Sequence, residues 1–225
     1  MTSIVFGATG LCGKEILKHA DKQPNLTKLV SVTRRPFDFE SEKLTKRVES
    51  DVDKYGEIIN EVKPEICFSG LGTTRAAAGS AKAFVDIDYG INYKIAKAAK
   101  EEGVETFVLI SSIGANAHSP FLYMKTKGRL EDDVIALKFP RTIILRPGPL
   151  LGEREKSKGM LDKMNVFVNK FFHGTIIGRW TLCPIYGTEV GKAAVQLASE
   201  KFSTAEGPVV EIVGGKELLD VASSN

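Results

Sequence analysis

"IVFGATGLCGKEIL", residues 4–17, sets Gly7, Gly10 and Gly13 at intervals of three where an apolar run hands over to a helical pattern. Glycine weakens both strands and helices, so the three must serve the turn between them. In a strand–turn–helix context each has a task. Gly7 permits the tight turn, Gly10 lets backbone come close to a pyrophosphate, and Gly13 lets the helix press on the strand. The helix N-terminus adds free N–H donors and partial positive charge. Thr9, Leu11 and Cys12 fill the loop and join the glycines as candidate cofactor contacts. The spacing is G-x-x-G-x-x-G rather than G-x-G-x-x-G. A glycine-rich turn with no ligand is the competing reading, and the flanking pattern weighs against it.

Working outward, apolar runs rich in Val, Ile and Phe recur at 3–6, 29–32, 66–68, 106–110 and 142–145, with a weaker run at 47–49. Helical patterns follow them at 11–22, 54–61, 81–102, 121–137 and 188–200. Continuous apolar strands alternating with helices predict an α/β protein with a parallel sheet covered on both faces. The expected architecture is one Rossmann-like, doubly wound domain over residues 1–225. After Pro149 the rhythm loosens, and 150–186 reads as a small cap or substrate region. There Met160, Met164, Phe167 and Phe171 form one helical stripe with Lys163 and Lys170 nearby. Such a stripe covers a substrate or lies in a membrane interface.

The second strand bears on the cofactor. An NAD-binding domain usually ends that strand in an acid that holds the ribose 2′-hydroxyl. Here "LVSVTRRP" ends in Arg34 and Arg35. Guanidinium groups bind a 2′-phosphate that an acid would repel, so NADP(H) is expected; a solvated turn is the alternative. Asp51 after the third strand, and Gly70, Leu71, Gly72 and Thr73 after the fourth, stand where the adenine and its ribose would lie.

A hydride donor needs a partner that protonates the developing alkoxide. "YMKTK" puts Tyr123 and Lys127 four apart, on one helix face. The Lys127 ammonium would favour the tyrosinate and grip the nicotinamide ribose. A second such pair, Tyr93 and Lys97, follows the fourth strand. Tyr123 instead follows "TFVLISS", whose carboxyl end delivers Ser111 and Ser112 to the crevice where ligands gather. Ser112 and Tyr123 can converge there on one carbonyl oxygen. "LRPGPLLG", 145–152, then offers Pro147 and Leu150 beside the nicotinamide; a plain strand-ending turn is the competing reading.

Composition excludes other classes. A net charge of +3 with scattered basic residues gives no nucleic-acid platform. Cys12, Cys67 and Cys183 lie far apart, without metal-ligand spacing, so a reducing compartment and no metal are expected. No run approaches the roughly eighteen apolar residues of a membrane span. Strand-like sequence from Ser3 leaves no room for a cleavable presequence.

Together, the glycine loop, the Ser112–Tyr123–Lys127 set and "RPGPLLGER" resemble the short-chain dehydrogenase/reductase superfamily. "GATGLCG", "TTRAAAG", "DVIAL" and "ILRPGPLLGER" are similar to its atypical branch containing the Tat-interacting protein and its fungal relatives of the mitochondrial proteome. The resemblance spans essentially the whole chain. It implies a Rossmann fold, NADPH, and Tyr123 and Lys127 as the catalytic pair. It also implies, for the fungal members, a peripheral association with the mitochondrial outer membrane; the expected place is the cytoplasm or the cytosolic face of that membrane. Ser112 lies eleven residues before Tyr123, closer than is usual in the superfamily, and Asn92 is the candidate for the relay asparagine. Two functions stay open: a reductase of small carbonyl compounds, or a protein whose NADPH occupancy gates a protein-partner surface.

Overall fold

The structure, a computed structural model, describes residues 1–151 and 183–224. Apolar Thr2–Phe6 forms β1, and the glycine turn leads into α1 (Leu11–Lys22). Then come β2 (Lys28–Thr33), β3 (Leu44–Val48), a 3-10 turn at Val52–Lys54, α2 (Tyr55–Val62) and β4 (Ile66–Ser69). Short helices α3 (Arg75–Ala78) and α4 (Ala81–Val85) lead through a π-helical segment, Asp86–Ile91, into α5 (Asn92–Glu101). β5 (Thr106–Ile110), α6 (Leu122–Ala136) and β6 (Arg141–Arg146) follow. A two-residue strand, β7 (Leu150–Leu151), pairs in parallel with β8 (Ile185–Tyr186). The chain ends with α7 (Gly187–Ser199), β9 (Val209–Gly214) and α8 (Gly215–Ser223).

The main sheet has seven parallel strands in the order β3-β2-β1-β4-β5-β6-β9. Winding runs one way from β1 to β3 and the other way from β4 onward. The order therefore reverses between β1 and β4, and the carboxyl ends of those two strands open the crevice where such folds bind ligands. Successive side chains feed two cores because a strand alternates faces. Val5, Phe68, Val108 and Ile143 pack under α1, α7 and α8. Phe6, Cys67, Phe107, Leu109 and Ile144 pack under α2, α5 and α6. Full burial of Phe6, Phe68 and Phe107 stabilises by roughly 2–3 kcal/mol each.

Several expectations need correction. The single helix expected over 81–102 is interrupted by the π segment. Asn92 Nδ2 donates to the carbonyls of Ile87 and Asp88, which accounts for part of that irregularity. The weak third run lies at Leu44–Val48, not 47–49, as an exposed edge strand. β9 and α8 extend the fold beyond the last expected helix. Of the 150–186 region only its two ends, which hold β7 and β8, are described. The stripe of Met160, Met164, Phe167 and Phe171, with Lys163 and Lys170, lies outside the described residues.

Candidate active site

The glycine loop turns on contacts that no side chain could share. Gly7 sits at φ +82°, and a Cβ on it would lie 2.7 Å from the Gly70 carbonyl carbon. A Cβ on Gly13 would lie 2.1 Å from Gly7 O. The main chain closes the turn through Gly10 N–H to Gly7 O (2.8 Å), and Gly70 N–H to Phe6 O (3.0 Å) ties in the β4 loop. Gly10 is the N-cap of α1 and has no side chain to cap it. Gly10 thus offers no side-chain oxygen to the first-turn N–H groups, which a helix leaves without intrahelical partners. That arrangement fits a pyrophosphate.

Beyond β2, Arg34 and Arg35 are exposed, and Thr33 Oγ1 donates to Arg35 O (2.9 Å) at the bend. Neither guanidinium forms an ion pair among the described residues. Burial pushes the Tyr55 phenol up from its ordinary range, and the neighbouring Arg34 charge pulls the other way. Asp51 caps the 3-10 turn by accepting from Asp53 N (3.0 Å).

On the other side of the crevice, α6 carries Tyr123 and Lys127. Tyr123 is 39% exposed and its ring stacks on Phe84, centroids 5.7 Å apart. Lys127 is buried, and its Nζ lies 2.9 Å from Asp88 Oδ1. A Cβ on Gly72 would fall 3.8 Å from that ammonium, so the lysine reaches the loop after β4. Gly128 presses α6 directly on the β5 loop, since a Cβ there would sit 2.2 Å from Ala117 N. Asn116 N–H donates to Met124 O (3.1 Å) and fixes that loop to the first turn of α6.

Ser112 is half-buried and its Oγ donates to Ile113 O (3.3 Å), whereas the neighbouring Ser111 donates to buried Glu131. Glu131 also receives the Arg146 guanidinium, with Nε 3.0 Å from Oε1, and this pairing raises the Arg146 pKa. Ile113 N–H donates to Pro147 O (2.8 Å). The ends of β5 and β6 are thereby clamped together, which holds Ser112 beside Pro147. Leu150 begins β7, and its preceding Pro149 O accepts from Ile185 N–H (3.2 Å). Asn92 is buried and fully engaged. It accepts from Ser69 Oγ (2.5 Å) and donates to Leu71 O (3.3 Å) as well as to the π-segment carbonyls. In this structure it builds the loop.

Sequence reasoning missed Asp88, Glu131 and Gly128. For Glu131 a signal existed: Tyr123, Lys127 and Glu131 recur every four residues, so an acid stood on a face that is otherwise inward. Replacing Glu131 by Gln keeps the shape but removes the charge that Arg146 and Ser111 share. The expected loss is about 2 kcal/mol of stability, read as a lower urea midpoint with unchanged slope.

The HIM1 family model matches residues 26–176. "Protein FMP52-2, mitochondrial" of Scheffersomyces stipitis is 50% identical over 223 residues, covering 98% of this chain and 97% of that one. "Protein FMP52, mitochondrial" of Saccharomyces cerevisiae is 43% identical, covering 100% and 97%. The chain belongs to the HIM1 family. Solved structures at low sequence identity share its fold, and these support architecture alone. MoeE5 in complex with UDP-glucose and NAD superposes with a TM-score of 0.68 at 16% identity, over 99% of this chain and 81% of that chain. UDP-glucose 4-epimerase from Thermotoga maritima gives 0.69 at 16% identity, with the same coverage.

Proposed function

We propose that the protein is an NADPH-dependent carbonyl reductase of the atypical short-chain dehydrogenase/reductase branch that includes the Tat-interacting protein. One observation carries the reading: the glycine-capped α1 N-terminus and the Tyr123–Lys127 helix face flank the same sheet crevice. Fold neighbours solved with NAD support a nicotinamide dinucleotide in that crevice. The mitochondrial names of the relatives support a mitochondrial location.

NADPH, when bound, supplies the hydride. Gly7, Thr9, Gly10, Leu11, Cys12 and Gly13 would hold its pyrophosphate, Arg34 and Arg35 its 2′-phosphate, and Asp51 with Gly70–Thr73 its adenosine end. Pro147 and Leu150 would border the nicotinamide. Ser112 orients a substrate carbonyl oxygen, Tyr123 protonates it, and Lys127 holds the ribose.

Calorimetry tests the cofactor assignment. NADPH is expected to bind more tightly than NADH. The double variant Arg34→Ala/Arg35→Ala should lose about 10–100-fold in NADPH affinity, the equivalent of one or two charge-assisted hydrogen bonds, while NADH binding stays within about twofold. No binding of either dinucleotide at millimolar concentration would overturn the reading.

A further inference from the structure

Lys127 and Asp88 form the one ion pair among the described residues in which both side chains are almost wholly buried, 4% and 1% exposed. A buried charge is tolerated only with a well-placed partner, so Asp88 is what allows an ammonium at this depth. The carboxylate is itself fixed from behind. Asp88 Oδ2 accepts from Thr73 N–H (2.7 Å), and its backbone carbonyl accepts from Asn92 Nδ2 (3.0 Å). Asp88 Oδ1 has no aligned hydrogen bond, and meets the ammonium through charge at 2.9 Å. A Cβ on Gly72 would lie 3.5 Å from Asp88 Oδ1 and 3.8 Å from Lys127 Nζ, so the pair lies against that backbone. The π segment supplies this geometry, and such segments often occur at functional sites.

We propose that Asp88 is a positioning residue for Lys127: its carboxylate joins the Gly70–Thr73 loop to the lysine of α6, so that cofactor loop and catalytic helix are set as one unit. The inference rests on the reductase reading above. Lys127 has three N–H donors, and Asp88 occupies the side facing the loop backbone, leaving others for a ribose hydroxyl. Removing the carboxylate frees the ammonium to move, and a displacement of about 1 Å in a catalytic group can cost on the order of 100-fold in rate.

The test is a two-by-two comparison of wild type, Asp88→Asn, Lys127→Met and the double variant, each assayed for NADPH binding by calorimetry and for turnover of a carbonyl substrate found by panel screening. Asp88→Asn is expected to lower kcat by about 30-fold or more while NADPH affinity changes by less than about fivefold. In the Lys127→Met background the same substitution should change kcat by no more than about twofold, because its effect passes through the lysine. Equal losses in both backgrounds would show a general structural role and overturn the proposal, as would unchanged kcat in Asp88→Asn. Should Asp88→Asn fail to fold, Asp88→Glu keeps the charge and displaces it by one methylene. Reduced kcat with intact NADPH binding is then expected, and wild-type kcat overturns the proposal. Failure of the wild type to bind NADPH would instead bring down the reductase reading, and this inference with it.

Discussion

Gly13→Ala is expected to lower the melting temperature by roughly 10 °C and to abolish measurable NADPH binding. The added Cβ would lie 2.1 Å from Gly7 O and 2.6 Å from Gly7 C, both backbone atoms that cannot rotate aside. Gly7 has no room to retreat, because its own Cβ position is 2.7 Å from Gly70. Nor can α1 back away. On its outer side α7 packs so closely that a Cβ on Gly191 would come within 2.6 Å of the Glu15 carbonyl carbon. Overpacking in so confined a place costs about 3 kcal/mol, and each kcal/mol moves the midpoint of a domain this size by about 2–4 °C. Relief would come from prising the glycine turn open, which moves the N–H donors that the proposed function assigns to the pyrophosphate. Gly56→Ala is the control: in α2 its Cβ meets only Ala98 Cβ, at 3.6 Å. Calorimetric melts of the two variants should diverge, and an unshifted melt for Gly13→Ala would contradict the packing argument.

The same contacts explain what was legible in the sequence. β1, the glycine turn and α1 could be read because each local preference there agrees with the tertiary structure. Leu11–Lys22 was visible to the residue. The inner strands were equally clear, since burial on both faces demands uninterrupted Val, Ile and Phe. Edges gave weaker signals. In β3 the sequence Leu-Thr-Lys-Arg-Val carries charge because one side of an edge strand stays in water. β9 was missed for a related reason: Val210 and Ile212 are exposed among the described residues, and Glu211 breaks the run between them. Its placement depends on a distant partner. Buried Arg141 of β6 holds Glu211 through Nε (2.6 Å) and Nη2 (3.2 Å). No window of local sequence contains both.

Site residues divide along the same line. Glycines and the Tyr123–Lys127 pair announce themselves by spacing, whereas the acids that support them do not. Asp88 lies 39 residues before Lys127 in the chain, and the π segment that aims it inward looks like plain helix in the sequence. Both supporting acids face cations at the carboxyl end of the sheet: Asp88 meets Lys127, and Glu131 meets Arg146. Two cations on the α6 side, Lys127 and Arg146, thus each meet a carboxylate. On the β2 side, Arg34 and Arg35 form no ion pair among the described residues, and the proposed reading gives them a 2′-phosphate to bind.

Tyr123→Phe should reduce turnover by about 10²–10⁴-fold, the usual contribution of a positioned proton donor, while leaving the fold and NADPH affinity nearly unchanged. The tyrosine ring stacks on Phe84 and is partly exposed, so phenylalanine preserves that contact. No hydrogen bond holds its hydroxyl among the described residues, and a surface change of this kind costs within about 0.5 kcal/mol. A large kinetic loss without a stability loss would therefore report the proton alone. The second Tyr-x-x-x-Lys pair supplies the contrast. Tyr93 stacks on Tyr89, and Lys97 lies 3.9 Å from Glu101 on an exposed helix surface. Tyr93→Phe should leave kcat within about twofold, as surface substitutions away from special features have small effects. If Tyr123→Phe turned over a carbonyl panel at wild-type rates, the phenol would be relieved of its role, and the proton would have to come from another donor.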